Sequence, residues 1–393
     1  MGVSKTPSSL ENFALAKLDG MEAQNLRRRL TVTEPLGAVE VMQGGRRMIN
    51  FSSNDYLGLN QHPLIKKASM EATEKYGAGA GASRLVTGNH PLYQELEMRL
   101  ARLKGSEDAV VFGSGFLANS GIIPALIGPD DAVFLDELSH ACIFYGARLT
   151  QGAHHVFRHN DMDHLRALLE AERHKHPHAM IATDGVFSMD GDLAPIGNLV
   201  ELAGTHDAWL MTDDAHGIGV VGGGRGSSFA HGARHAVPLQ MGTLSKAIGG
   251  YGGYLCASHA VCELIRTRCR TFIYSTGLPP GAVAASIAAL GLIEGDREFT
   301  ERPLTLARTF TRELNLPAAE SPIVPVILGD TDKTLAAAKL LADESFLIVP
   351  IRPPTVPEGT ARLRITFSAG HKEADVIRLA KIIREKIIGE DVS

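Results

Sequence analysis

Between residues 63 and 260, short apolar runs alternate with helical patterns, and that alternation leaves few folds open to the chain. The runs are AVVF (109–112), AVFL (132–135), AMIAT (179–183), AWLMT (208–212) and GGYLCA (252–257). Each is too short for a helix and close to continuously apolar, the pattern of a strand covered on both faces. Such strands, separated by helices, build a mostly parallel sheet sandwiched by helices. One connecting helix, 91–104, opens on Pro91, a favoured first position, and sets Leu92, Leu96, Leu100 and Leu103 on one face.

The flanks differ in texture. Leu10, Phe13, Leu18, Met21 and Leu26, spaced among charges, predict an amphipathic N-terminal helix within 10–30, and VMQGGRRMINF (41–51) predicts a hairpin turning at Gly44-Gly45. Residues 279–317 read as a long helical connection. Beyond it, strands at 323–328, 346–351 and 361–367 alternate with helices at 331–343 and 371–388, a small α+β domain. The expected division is an N-terminal helix and hairpin segment (1–50), a large α/β domain (51–290) and a small C-terminal domain (291–393). There are no internal repeats.

Composition removes several function classes. The net charge is −5 without a basic block, so no nucleic-acid partner is expected. No stretch of about 18 apolar residues exists, so no membrane span is expected. The start, MGVSKTPSSLENF, lacks the apolar core of a secretion signal, and Met1-Gly2 reads as chance rather than as an acylation site. Cys142, Cys256, Cys262 and Cys269 form no C-x-x-C pair and read as reduced, buried thiols of a cytoplasmic protein.

The chemistry is concentrated where glycines cluster, at 77–81, 113–121, 217–226 and 249–253. In MTDDAHGIGVVGGGRG (211–226), Asp213 falls at the carboxyl end of a strand, where open α/β sheets bind ligands, and His216 follows. In GTLSKAIGGYGG (242–253), Lys246 is flanked by small residues, the setting for an amine that joins a flat aldehyde cofactor, pyridoxal 5'-phosphate, as a Schiff base. That cofactor needs a carboxylate to keep its ring nitrogen protonated, a role for Asp213, and a donor to its ring oxygen, a role for His216. Its phosphate needs backbone N–H groups at a helix start. FGSGFLANSG (112–121) offers those of Ser114, Gly115 and Phe116, with the hydroxyls of Thr243 and Ser245 nearby. His140, just after the AVFL strand, reads either as a ring stacked on the cofactor or as a satisfied loop residue. Ser188 reads either as a contact to the ring oxygen or as a cap. The run Arg27-Arg28-Arg29 is a solvated face or supplies one arginine to an acidic substrate. A metal is not expected: in His174-Lys175-His176-Pro177-His178 the proline breaks helical i,i+4 pairing and no cysteine or carboxylate cluster accompanies the histidines.

Taken together, SSNDYLGL (52–59), GAGASRLVTGNHPLYQELE (79–97), GVFSMDGDLAP (185–195), DDAHGIGVVG (213–222), GTLSKAIGG (242–250) and IYSTGLPP (273–280) resemble the α-oxoamine synthases over about residues 20–385. The resemblance implies a fold-type I pyridoxal-phosphate transferase with a mostly parallel seven-stranded sheet. VPIRPPTVPEGTARLRITFSAGH (349–371) is similar to the branch that condenses L-alanine with a pimeloyl thioester, carried on coenzyme A or a carrier protein, in biotin synthesis. The family pattern implies that Lys246 carries the cofactor, Asp213 pairs the ring nitrogen, His216 and Ser188 address the ring oxygen, and His140 stacks on the ring. It further implies that Gly115, Phe116 and Thr243 hold the phosphate. Ser275 and Thr276 are implied to reach the neighbouring subunit's cofactor, hence a homodimer with shared sites. Arg364 is implied to bind the amino-acid carboxylate beside Asn54, and Arg27, Thr355 and Arg352 to meet the acyl substrate. Sister enzymes that use glycine with acetyl-CoA or succinyl-CoA, an aminotransferase, and a noncatalytic partner subunit are the rival readings. The family often has glutamate where this chain has Asp184.

Overall fold

Strands Asp108–Phe112 (β1), Ala132–Asp136 (β2), Ala153–Phe157 (β3), Ala179–Asp184 (β4), Trp209–Asp213 (β5), Leu239–Thr243 (β6) and Gly253–Ala257 (β7) form one sheet in the order β1-β7-β6-β5-β4-β2-β3. This is a computed structural model of the chain that describes residues 8–23 and 26–389. Every contact from β6 across to β3 is parallel, whereas β7 runs antiparallel to both β6 and β1. β2, β4 and β7 are buried along their whole length, as their apolar runs require. Two strands carry no such signal in the sequence. β3 (AHHVF) is an edge strand with exposed positions, and β6 (LQMGT) mixes polar and small residues that the helices on both faces nonetheless cover.

The helices form where local chemistry starts and stops them. Leu92–Lys104 follows Pro91, buries Tyr93, Leu96, Leu100 and Leu103, and ends on Gly105 at φ 66°, a left-handed turn that favours glycine. Gly115–Leu126 begins at Ser114, whose hydroxyl accepts from the Leu117 amide at 3.1 Å. The expected connection at 279–317 is two helices, Pro280–Gly295 and Arg297–Glu313, broken at Asp296, which caps the second by accepting from Phe299 N.

After that break come β8 (Ile323–Gly329), β9 (Pro350–Ile351) and β10 (Ala361–Thr366), a small antiparallel sheet in the order β8-β10-β9 with helices Thr331–Asp343 and Glu373–Ile383. Period-2 alternation divides β10: Leu363 and Ile365 enter the core with Phe310, Phe346 and Phe367, while Arg362 and Arg364 turn to the other face, toward the loop after β4. The run FLIVPI is not one strand. Phe346–Leu347 pairs parallel with Arg46–Asn50, and Pro350–Ile351 pairs with β10, because the chain crosses between two sheets at 348–349. The hairpin at Gly44-Gly45 forms as expected, between Glu40–Gln43 and Arg46–Asn50. The N-terminal helix is shorter than expected, Ser9–Ala23, and buries none of its residues; Leu10, Phe13, Leu18 and Met21 lie exposed. Among the described residues, no element covers these apolar side chains. Met1 and Gly2 lie outside the described residues.

His371 ties the last loop to the strand 46–50. Its ring stacks on Phe51 at 3.9 Å, Nδ1 accepts from Ser368 N at 2.9 Å, and Nε2 lies 3.1 Å from Asn50 O. Burial pushes its pKa down to about 4. The unfolded chain therefore takes up a proton that the fold refuses, so this contribution is intact above the unfolded value near 6.5 and is lost as the pH falls toward 4. In urea melts at pH 7 and pH 4.5, wild type is expected to lose about 2–3 kcal/mol more than His371→Gln; equal losses would exclude the histidine.

Candidate functional site

Register brings the polar groups together. Parallel pairing sets Asp184 at the end of β4 opposite Asp213 at the end of β5, and Asp213 opposite Met241, two residues before Thr243 ends β6. Ligands bind at these carboxyl ends in open α/β sheets. Asp213 is buried; Oδ2 accepts from Asn119 Nδ2 at 2.7 Å and Oδ1 from Ala215 N at 2.8 Å. Asp184 accepts from His140 N at 2.9 Å, so the shorter side chain still anchors that loop. Burial, and after it the charge on Asp213, raise the Asp184 pKa well above the carboxylate range.

Lys246 follows β6 in a turn, and its Nζ lies 2.7 Å from His216 Nε2. Burial lowers its pKa, against the pull of Asp213 and Asp184. Burial also drives His216 well below the ordinary histidine value, with the Lys246 and Arg364 charges acting in the same direction, so this imidazole is neutral. Its Nδ1 lies 2.6 Å from the Tyr56 hydroxyl, which contacts Asn54 Oδ1 at 3.2 Å. Arg364 closes the line: Nη2 donates to Asn54 Oδ1 at 3.2 Å and to the Tyr56 hydroxyl at 3.4 Å, and Nε donates to Ser188 O.

The two arginines of β10 differ in one respect. Arg362 is paired with Asp190, whereas among the described residues no carboxylate lies within ion-pair distance of Arg364, although its side chain is buried too. A buried guanidinium without a carboxylate offers its N–H donors to one.

His140 caps the helix Ala141–Arg148 through Nδ1 and Cys142 N, and its ring remains exposed beside Asp213 and Lys246, whose charges both act on it. The helix that starts at Gly115 offers the unpaired first amides of Gly115 and Phe116. A β-carbon on Gly115 would lie 3.3 Å from Met241 Cε and 3.4 Å from Thr243 Cβ, so a side chain there would crowd β6. The Thr243 hydroxyl donates to Gly252 O at 2.7 Å and accepts from Ser245 N at 3.2 Å. The Cys142 thiol, pushed up to about 12 by burial and the nearby Asp213, is no nucleophile.

Lys246, His216, Asp213, His140, Ser188, Asn54, Arg364, Gly115, Phe116 and Thr243 are thus gathered at one end of the sheet. Ser275 and Thr276 lie on the loop after Arg270–Ile273, where Thr276 bridges to Ser83 and both line a small cavity with Phe112 and Gly113. Arg27 is exposed and pairs with Glu22 at 3.4 Å, and Thr355 donates its amide to Arg352 O at 3.1 Å in a turn. Sequence reasoning assigned no role to Tyr56 or Asn119. Tyr56 lies inside SSNDYLGL, yet its partner His216 is 160 residues away, so no local pattern points to it.

These residues fit pyridoxal phosphate. Among the described residues, the buried amine has no carboxylate in ion-pair distance, a buried carboxylate stands at the adjoining strand end, and a glycine-opened helix start packs on Met241 and Thr243. The family model for aminotransferase class I and II matches residues 46–383. The chain is 56% identical over 382 residues to the 8-amino-7-oxononanoate synthase of Maricaulis maris, covering 97% of each chain. It is 57% identical over 376 residues to that of Granulibacter bethesdensis, covering 96% of this chain and 97% of the relative. A serine palmitoyltransferase variant from S. paucimobilis with bound PLP superposes with a TM-score of 0.88 at 29% identity, covering 95% of this chain and 97% of the neighbour. The architecture is that of the fold-type I pyridoxal-phosphate transferases. With more than half its residues shared with such relatives along nearly the whole length, the chain belongs to the aminotransferase class I and II family and, within it, to the 8-amino-7-oxononanoate synthases.

Proposed function

We propose that this chain is a pyridoxal-phosphate-dependent 8-amino-7-oxononanoate synthase of the cytoplasm, joining L-alanine to a pimeloyl thioester with loss of CO2 and release of the thiol. The observation that carries this reading is Arg364, a buried guanidinium without a carboxylate partner, held by Ser188 O, Asn54 and Tyr56 a short hydrogen-bonded path from Lys246. It supplies a seat for the α-carboxylate of an amino acid whose α-carbon then faces the lysine amine. The relatives at 56% and 57% identity carry the same name, which supports alanine and the pimeloyl group as the substrate pair.

When bound, pyridoxal phosphate supplies an aldehyde for amines and a cationic ring that withdraws electrons from the α-carbon. Around it, Asp213, whose carboxylate Asn119 fixes, would pair with the ring nitrogen. Gly115, Phe116 and Thr243 would hold the phosphate, His140 would cover one face of the ring, and His216 and Ser188 would address its oxygen. Burial lowers the Lys246 pKa, which favours the free amine that takes the proton from alanine's α-carbon. Arg27, Arg352 and Thr355 would meet the acyl chain. By the family pattern, Ser275 and Thr276, on the loop after Arg270–Ile273, would reach the cofactor of a second copy in a homodimer.

Steady-state kinetics with pimeloyl-CoA test the assignment. Arg364→Ala is expected to raise the alanine KM by about 2–4 kcal/mol in binding, roughly 30-fold or more; an unchanged alanine response would remove Arg364 from the site. Lys246→Ala should keep the fold and lose about three orders of magnitude or more in kcat, and normal turnover would end the proposal. Tyr56→Phe deletes one hydrogen bond to His216, about 1.5 kcal/mol, so kcat should fall roughly tenfold and the pH–rate profile should shift. A profile identical to wild type would leave Tyr56 a packing residue. Glycine or serine turned over as well as alanine would favour a sister activity.

A further inference from the structure

At the other end of the sheet the fold assembles a group of ligand atoms that plays no part in the reaction. His155 on β3 stacks on Phe134 of β2 at 4.9 Å, and its Nε2 is shielded from solvent with no hydrogen-bond partner. A buried imidazole nitrogen without a partner is uncommon and calls for an explanation. Glu172 ends the helix Met162–Glu172, and His176 lies in the connector that leads into β4. One ligand atom from each of His155, Glu172 and His176 lies within 4.8 Å of the other two. His176 Nδ1 is 2.9 Å from Asp130 O. A carbonyl only accepts, so the proton sits on Nδ1 and the lone pair on Nε2, the tautomer that a metal-binding histidine adopts when its other nitrogen donates to a backbone oxygen.

We infer that His155, Glu172 and His176 form a binding site for a divalent transition-metal ion of the zinc class, remote from the catalytic cleft. Two imidazoles and a carboxylate suit zinc, which takes nitrogen and oxygen at about 2.0–2.2 Å and completes four-coordination with water. Such bonds bring ligand atoms to roughly 3.4 Å apart, so the site closes by about an ångström of movement. Glu172 and His176, on half-buried positions at a helix end and a connector, can make that movement. Lys175 Nζ now sits 2.8 Å from Glu172 Oε2; it is half exposed and is released as the ion takes its place. The bound ion pins the edge strand β3 to the helix end and to the connector into β4. The sequence alone argues against a metal here because its local histidine run has no carboxylate or proper spacing; the second histidine comes from β3, across the fold.

The test uses the cofactor-loaded enzyme, stripped with a chelator, incubated with zinc chloride, desalted and measured for retained metal and melting temperature. Wild type is expected to retain about one zinc per chain and to melt higher with zinc. His155→Ala and His176→Ala should each weaken retention by at least about tenfold, with turnover and metal-free melting of His176→Ala as in wild type. Should His155→Ala fail to fold, His176→Ala, in the connector, decides alone. Wild type that retains no zinc from micromolar solutions, or a His176→Ala variant that retains as much as wild type, would overturn the inference.

Discussion

Two carboxylates forced side by side shape the active end of this protein. Asp184 and Asp213 close adjacent parallel strands in register, inside a sheet covered on both faces, so neither can reach bulk water. Two such charges a strand apart are tolerated only if other groups compensate them. Asp213 is held by Asn119 and the Ala215 amide, while Asp184 takes the His140 amide and holds its proton more firmly. Lys246 experiences both, which limits how far burial lowers its pKa. The cofactor cleft is the space left by this compensation.

The aspartate next along the chain solves a different problem. Asp214, which points away from Asp213, forms a fully buried ion pair with Lys104 at 2.6 Å, and the same ammonium donates to Arg225 O. Asp214 also accepts from Ser227 N at 2.9 Å. A buried pair of this kind adds little net stability but is costly to break. Its effect is geometric: it locks both ends of the glycine-rich loop 214–227, and His216, two residues on, is delivered to Lys246. In the small sheet, Arg362 spends its charge on Asp190 and braces the loop after β4, leaving Arg364 beside it for a ligand.

Much of the architecture was legible because continuous apolar runs have one outcome in a chain of this length: strands buried on both faces, joined by helices. The reading failed where burial is decided by neighbours. β3 and β6 have no apolar run and become strands because adjacent backbone edges need partners. FLIVPI satisfies every local criterion for one strand and is divided between two sheets.

Composition and spacing by themselves determined the layered α/β class, the lysine, aspartate and histidine that the strand ends carry, and the helix start at Gly115, since each depends on residues within a few positions of one another. Only the folded chain decided that Tyr56 and Arg364 would meet His216, that Arg362 would be paired and Arg364 not, and that His155 would find Glu172 and His176. Those contacts join segments far apart in the chain, and their geometry follows from strand register and sheet order, which no local stretch encodes.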